Sequence, residues 1–375
     1  MKPIRILHVA EMNSDSGVAC FLMNYYRNID RSKVQFDFIM DKVYEKNFIQ
    51  EIESLGGKVF VLPNYKKNPF AYYAGIKSII KNSDYKIIHA HEAVVSLFSL
   101  RAAKKCGIQT RIAHSHNNKM ESKLKDLVVQ FARPLFQIYC TDFWACSTLA
   151  AQYLFGKKVC KSHKINIFPN AIDSSQFEYS PRIRDEYRQK LDLNNKIVIG
   201  HVGRFNLQKN HTFLIDIFSE MKKIEPSAHL LLIGEGDTQN EMKAKVNNLM
   251  LKDSVSFLGI RSDVNNLMQA MDAFVFPSHF EGLGIVLVEA QASGLMCFTS
   301  ENVVPYEAKV TDNLEFISLE KTAEAWATAI IARIKGYNRV NTRFQIENAG
   351  YDILRQATNL QEFYLATTIK RGEKE

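Results

Sequence analysis

Short apolar runs recur along the chain at strand length, at residues 4–10, 34–40, 58–62, 86–90, 110–113, 142–146 and 165–168. Amphipathic segments of helical length lie between them. The runs are continuous rather than alternating, which predicts strands covered on both faces, and the strand–helix alternation predicts parallel crossovers. The first half therefore reads as an open, doubly wound α/β sheet. After Pro169-Asn170-Ala171-Ile172-Asp173 the pattern restarts, with runs at 196–202, 229–233, 254–258, 273–276 and 296–299. The expected domains are residues 1–172 and 173–349, both Rossmann-like. Helical spacing from Arg343 to Ile369 predicts a last helix, at about 350–375, that returns to brace the first domain. Two such domains are expected to face a cleft, because ligands of doubly wound sheets bind beyond the carboxyl ends of the strands.

That rule directs attention to residues just after strands. From Phe276 to Ala290 the chain supplies Glu281, the glycines Gly282 and Gly284, and an apolar helix bearing Glu289, eight residues beyond the first carboxylate. Glycines permit close backbone approach, and a helix start offers unpaired N–H groups and the positive end of the dipole. Gly282, Leu283, Gly284 and Ile285 therefore suit a phosphate. Glu289 is placed to accept hydrogen bonds from ribose hydroxyls, and Glu281 to meet a sugar. After the first strand of the second domain, Gly203 precedes Arg204 and Lys209, a planar fork and a compact charge that both suit phosphate oxygens. The chain has no Asp-x-Asp pair and no His/carboxylate cluster at metal-ligand spacing. Fixed cations and a helix dipole are thus expected where other sites use a divalent ion, and no metal site is expected.

In the first domain, Arg111 to Asn118 ends a strand and carries His114 and His116 towards the expected cleft. One of them would hydrogen-bond a sugar hydroxyl; His116 is favoured because it lies further out, and the other is a candidate core histidine. The stretch Asn13-Ser14-Asp15-Ser16-Gly17-Val18 either brings N–H groups to a ligand, Gly17 foremost, or is an ordinary strand–helix turn. Gly234-Glu235-Gly236 lacks the third glycine of a dinucleotide fingerprint. Asp263 reads as a helix cap.

The segment from Glu281 to Glu289 resembles the Glu-x7-Glu signature of the retaining family 4 glycosyltransferases. Gly203-Arg204-Phe205 with Lys209-Asn210, Leu231 to Gly236, Val255 to Gly259 and Pro169 to Asp173 match that family in order, so the resemblance covers nearly the whole chain. It implies the GT-B fold and a nucleotide-sugar donor, a UDP-sugar being the commoner type, with no further cofactor. It also implies transfer of a hexose or N-acetylhexosamine, with retention of configuration, to a glycan or lipid-linked acceptor in bacterial capsular, exopolysaccharide or lipopolysaccharide synthesis. The resemblance assigns the donor diphosphate to Arg204 and Lys209, a functional histidine to the strand end at His114–His116, and contact with the nucleobase to Gly259, Ile260 and Arg261. The family commonly has paired glycines where this chain has Ser16-Gly17, a departure at that loop.

The formal charge of +8 is carried by the first 170 residues, the remainder being slightly acidic. The first domain is therefore expected to meet something anionic. Lys119 to Phe136 joins lysines to a broad apolar face and reads either as a core helix with solvated lysines or as a helix resting on an anionic membrane surface. A composition of 46% hydrophobic and 23% charged residues suits two globular cores. No run reaches the roughly 18 uninterrupted apolar residues of a bilayer span, the N-terminus reads as a strand rather than a secretion signal, and the six cysteines include no Cys-x-x-Cys pair. A cytoplasmic protein, peripheral at the inner face of the cell membrane and not binding nucleic acid, is expected. Two rivals differ in their chemistry: a nucleotide-sugar epimerase of GT-B architecture would turn over donor without acceptor, and a non-catalytic basic protein for RNA or anionic lipid would show only salt-dependent binding.

Overall fold

A computed structural model describes residues 2–13, 16–43, 46–119 and 123–372. Ser14 and Asp15 of the first loop, and Met120, Glu121 and Ser122 of the lysine-rich segment, lie outside the described residues. The chain divides into two compact units, Met1–Ala171 with Asp352–Glu375, and Ile172–Tyr351.

The first unit is built on seven parallel strands: β1 (Ile4–Val9), β2 (Val34–Met40), β3 (Val59–Val61), β4 (Ile87–Ala90), β5 (Thr110–Ser115), β6 (Asp142–Ala145) and β7 (Ile165–Ile167). Their order across the sheet is β3-β2-β1-β4-β5-β6-β7. All seven residues of β2 are buried, Gln35 and Asp37 included, as expected of a strand covered on both faces, and the Asp37 carboxylate is paired with Arg5. Tyr26, Phe36, Phe38 and Trp144 pack in its core with Tyr364 from the C-terminal helix Ile353–Gly372.

The second unit repeats the plan with β8 (Ile197–Val202), β9 (Ala228–Ile233), β10 (Val255–Phe257), β11 (Ala273–Phe276), β12 (Met296–Ser300) and β13 (Leu314–Ile317), ordered β10-β9-β8-β11-β12-β13. Its core centres on Phe218, Met221, Leu232, Phe298 and Trp326. Both sheets are the doubly wound parallel sheets that the hydrophobic pattern predicts, and each reverses its strand order once, between β1 and β4 and between β8 and β11. Such a switch point opens a crevice at the strand carboxyl ends.

Two elements depart from the sequence reading. Strand β13 was not expected, because this edge strand pairs with β12 alone and breaks its apolar run with Glu315, which is ion-paired to Arg333. The single helix expected beyond Arg343 is two, Arg343–Asn348 and Ile353–Gly372. Between them Gly350 adopts a φ of 82°, a left-handed turn that ends the first helix.

Candidate active-site residues

At the switch point of the second unit, the loops leaving β8 and β11 are stitched together. The His279 N–H donates to the Gln208 carbonyl at 2.8 Å, Gln208 Nε2 donates to the Phe280 carbonyl at 3.0 Å, and Asn210 Nδ2 donates to the Pro277 carbonyl at 3.0 Å. Across this seam Lys209 Nζ donates to Glu281 Oε1 at 2.7 Å and lies 4.5 Å from the centre of the Phe276 ring. The two side chains are 17% and 6% exposed. Gly203 leaves room for the lysine stem: a Cβ there would sit 3.2 Å from Lys209 Cγ and 3.1 Å from His201 Nε2, so those side chains would have to shift by a few tenths of an ångström. Arg204 is exposed and forms no ion pair among the described residues. The two cations expected to grip a diphosphate therefore differ: Lys209 is held in place and charge-balanced, whereas Arg204 has no counter-charge beside it among the described residues.

Gly284, in the left-handed region with φ 80°, precedes the Ile285–Ala292 helix, and no side chain caps that helix start. An oxyanion placed there meets N–H groups and the positive end of the dipole. One turn further on, the partly buried Glu289 carboxylate has no hydrogen-bond donor or cation beside it among the described residues, and burial pushes its pKa up to about 7. A desolvated carboxylate without donors is costly, and a vicinal diol would supply two.

After β10, Ile260 follows Gly259 and is 60% exposed. Arg261 is already occupied. Its Nε and one terminal nitrogen reach the two Asp263 carboxylate oxygens at 2.8 and 2.6 Å, and the Tyr187 hydroxyl donates to the same carboxylate at 2.8 Å. The guanidinium holds the Asp263 carboxyl down to about 2. Asp263 stands just before the Val264–Ala270 helix, yet its side chain makes no cap bond. The cap expected from the sequence is thus displaced by an arginine two residues earlier.

In the first unit, β1, β4 and β5 bring five histidines together: His8, His89, His91, His114 and His116. His114 is buried, with Nδ1 3.2 Å from His89 Nε2, whose ring in turn meets the Tyr364 hydroxyl through Nδ1 at 2.7 Å. His116 is only partly buried, with Nε2 2.9 Å from His91 Nδ1. Burial lowers the pKa of all five, that of His8 and of His116 to about 3, so the rings are neutral at physiological pH. Two triads, His8–His89–His91 and His91–His114–His116, have ligand atoms within 4.8 Å of one another and are the groups here with the donor chemistry for a metal ion. The sequence reading, which found no such cluster, missed it because adjacent strands rather than sequence neighbours assemble it. The available signal was a pair of His-x-His spacings at consecutive strand ends.

Two further expectations meet the structure here. Ser16 caps the Gly17–Asn28 helix, and a Cβ on the exposed Gly17 would meet nothing within 4 Å, so the fold itself does not require a glycine there. The Lys123–Tyr139 helix is not a core helix with only its lysines in water. It buries Val129, Ala132 and Phe136 but exposes Leu124, Leu127, Val128, Phe131, Leu135 and Ile138, with Phe131 77% exposed. Among the described residues no helix is long and apolar enough to cross a membrane.

Residues 16–176 match the family described as Glycosyltransferase Family 4, and residues 183–352 match Glycosyl transferases group 1. The chain is 32% identical to the putative glycosyltransferase EpsF of Bacillus subtilis, over 98% of this chain and 97% of that one. It is 24% identical, over 98% of both, to an Escherichia coli UDP-Gal:alpha-D-GlcNAc-diphosphoundecaprenol alpha-1,3-galactosyltransferase. Among solved structures, Anabaena HepE in complex with UDP and glucose superposes with a TM-score of 0.78 at 20% identity, over 97% of this chain and all of that one, a likeness of fold. Two family regions in sequence order, and a relative matched over nearly its full length, lead to one conclusion: the chain belongs to the family 4 glycosyltransferases and has their GT-B fold.

Proposed function

We propose that this glycosyltransferase is retaining and metal-independent, and that it moves a hexose or N-acetylhexosamine from a UDP-sugar to a glycan or lipid-linked acceptor in bacterial cell-surface polysaccharide synthesis. One observation carries the reading: at a single switch point, a placed lysine, an uncapped glycine-opened helix start and a carboxylate lacking donors occur together. A nucleoside diphosphate needs those three features, for its phosphates and its ribose. The E. coli relative acts on a UDP-sugar and a diphosphoundecaprenol-linked acceptor, and HepE was solved with UDP, which supports the choice of donor and acceptor.

In this mechanism Lys209, Arg204 and the N–H groups from Gly282 to Ile285 stabilise the departing diphosphate, while Gly259, Ile260 and Arg261 neighbour the base. Glu281 and His116 meet hydroxyls of the sugar. The acceptor oxygen attacks on the face the diphosphate leaves, the bond to the diphosphate breaks, and a phosphate oxygen takes the acceptor's proton, so no protein base is required. The test is UDP release from a panel of UDP-sugars, with and without an undecaprenyl-diphosphate sugar acceptor, in EDTA. Release that needs acceptor and tolerates EDTA is expected. Donor turnover without acceptor identifies an epimerase or hydrolase instead, and loss of turnover in EDTA overturns metal independence.

The exposed apolar face of the Lys123–Tyr139 helix supports a compatible second reading. With exposed Lys119 and Lys125 beside it, this face of the basic first unit rests on the anionic inner leaflet, making the enzyme peripheral where lipid-linked acceptors lie.

A further inference from the structure

Three of the five histidines form a hydrogen-bonded file running inward from His116. His91 Nδ1 lies 2.9 Å from His116 Nε2, and His91 Nε2 lies 3.1 Å from His8 Nδ1. The two nitrogens at the ends of the file, His116 Nδ1 and His8 Nε2, are buried and make no hydrogen bond among the described residues. The file's lining is aromatic: Phe21 packs on His91 and His116, and Phe36 and Phe38 pack on His8. A second file, from Tyr364 through His89 to His114, stacks beneath it, with 4.2 Å between the His89 and His91 rings and 4.1 Å between the His114 and His116 rings.

A neutral imidazole carries one N–H and one bare nitrogen. Three neutral rings joined by two hydrogen bonds must therefore donate in the same direction, so the proton position on His8 dictates the one on His116. We propose that His8 and His91 are positioning residues, which fix the ring plane and tautomer of His116 so that its Nδ1 meets a sugar hydroxyl with one defined hydrogen-bond polarity. The role of His116 itself rests on the glycosyl-transfer reading above; the behaviour of the file does not.

When a sugar hydroxyl donates to His116 Nδ1, His116 Nε2–H donates to His91, His91 Nε2–H donates to His8, and His8 keeps its proton on Nε2. Each ring holds one proton throughout, so no charge is created. A neutral partner suits a sugar carbon that becomes cationic as the diphosphate leaves, where an imidazolium would be repelled. Metal binding fits the same rings less well. An N–H···N contact aims the lone pair of one ring at its neighbour, whereas a tetrahedral ion needs lone pairs that converge on a third point.

Two near-isosteric variants test the proposal. His91→Asn keeps a polar atom near the place of Nδ1, towards His116, and His91→Gln keeps one near Nε2, towards His8. Loss of one hydrogen bond predicts that His91→Gln lowers kcat roughly tenfold with KM little changed, while His91→Asn stays within about threefold of wild type at a similar Tm. Nitrogen-15 spectra of the ligand-free protein should show one His116 tautomer in the wild type and a mixture in both His91 variants, because an amide can present its oxygen or its NH2 group and neither variant joins His116 to His8. His8→Phe should give the same mixture, although His116 bonds to His91 and not to His8. Equal kcat in the two His91 variants, or mixed tautomers in the wild type, would overturn the proposal. So would stoichiometric Zn²⁺ binding to the wild type that both variants lose, which would make the cluster a metal site. Full turnover in His116→Ala would instead overturn the catalytic reading of His116, leaving the spectra to judge the file.

Discussion

Lys209 and Glu281 neutralise each other, Nζ to Oε1 at 2.7 Å, across the seam that joins the β8 and β11 loops. On the proposed reading, an arriving diphosphate finds a lysine whose position is already fixed, and must share it with the carboxylate assigned to the sugar. Holding the cation in place beforehand lowers the entropy lost on binding.

Removing the lysine alone strands a carboxylate whose side chain is 6% exposed. Lys209→Met should cost about 3–5 kcal/mol of stability, and adding Glu281→Gln should restore most of it, which urea unfolding of the single and double variants will measure. Turnover should fall on the order of 100-fold in both. Arg204→Ala should lose a similar factor in turnover while changing stability by no more than about 0.5 kcal/mol, because its side chain is exposed and has no ion pair among the described residues.

Glu289 should give the protein a pH-dependent weakness. A carboxyl raised from 4.5 to about 7 in the folded state binds its proton more tightly folded than unfolded. Stability contributed by the protonated form is thus present at low pH and declines as pH rises from about 4.5 through 7. Glu289→Gln should match wild type below that window and exceed it by on the order of 3 kcal/mol near pH 8. Thermal unfolding against pH will read this, and the same variant should bind UDP-sugars more weakly, because its amide accepts ribose hydroxyls less well than a carboxylate.

Gly17→Ala separates fold from function at the first loop. With open space around the added methyl and a helical position to fill, the variant should be as stable as wild type or more stable by up to about 1 kcal/mol. A raised donor KM with unchanged Tm is the expected outcome if that loop approaches the donor, and an unchanged KM would remove Gly17 from the site.

On the Lys123–Tyr139 helix, Leu127→Asp with Phe131→Asp should abolish co-sedimentation with vesicles containing anionic lipid. Both side chains are already exposed, so Tm should hold. Retained vesicle binding would move the membrane contact elsewhere.

Much of this architecture was legible because buried parallel strands leave continuous apolar runs, and the residues after them fall at sheet ends by topology alone. Glu281, Glu289 and Lys209 were singled out as candidates in that way, and the structure places all three at one switch point. The pairing of Lys209 with Glu281 was not, since 72 residues separate them and only the adjacency of β8 and β11 brings them together. The histidine file stayed hidden for the same reason, its members being distributed over three strands. Strand β13 escaped because an edge strand needs no unbroken apolar run, and Asp263 because the carboxylate that favours a helix cap is equally good at binding the nearby Arg261.

The first unit is closed by a stretch of chain that is made after the whole of the second. Tyr364, which bonds to His89 and packs on Phe36, emerges from the ribosome after all of the intervening Ile172–Tyr351 unit. The nascent protein can therefore finish its second unit while the first still lacks a wall, and its histidines settle only once Tyr364 has been made. A chain cut short near residue 350 should expose that core and be cleared, so the second unit cannot rescue a first unit that lacks its closing helix.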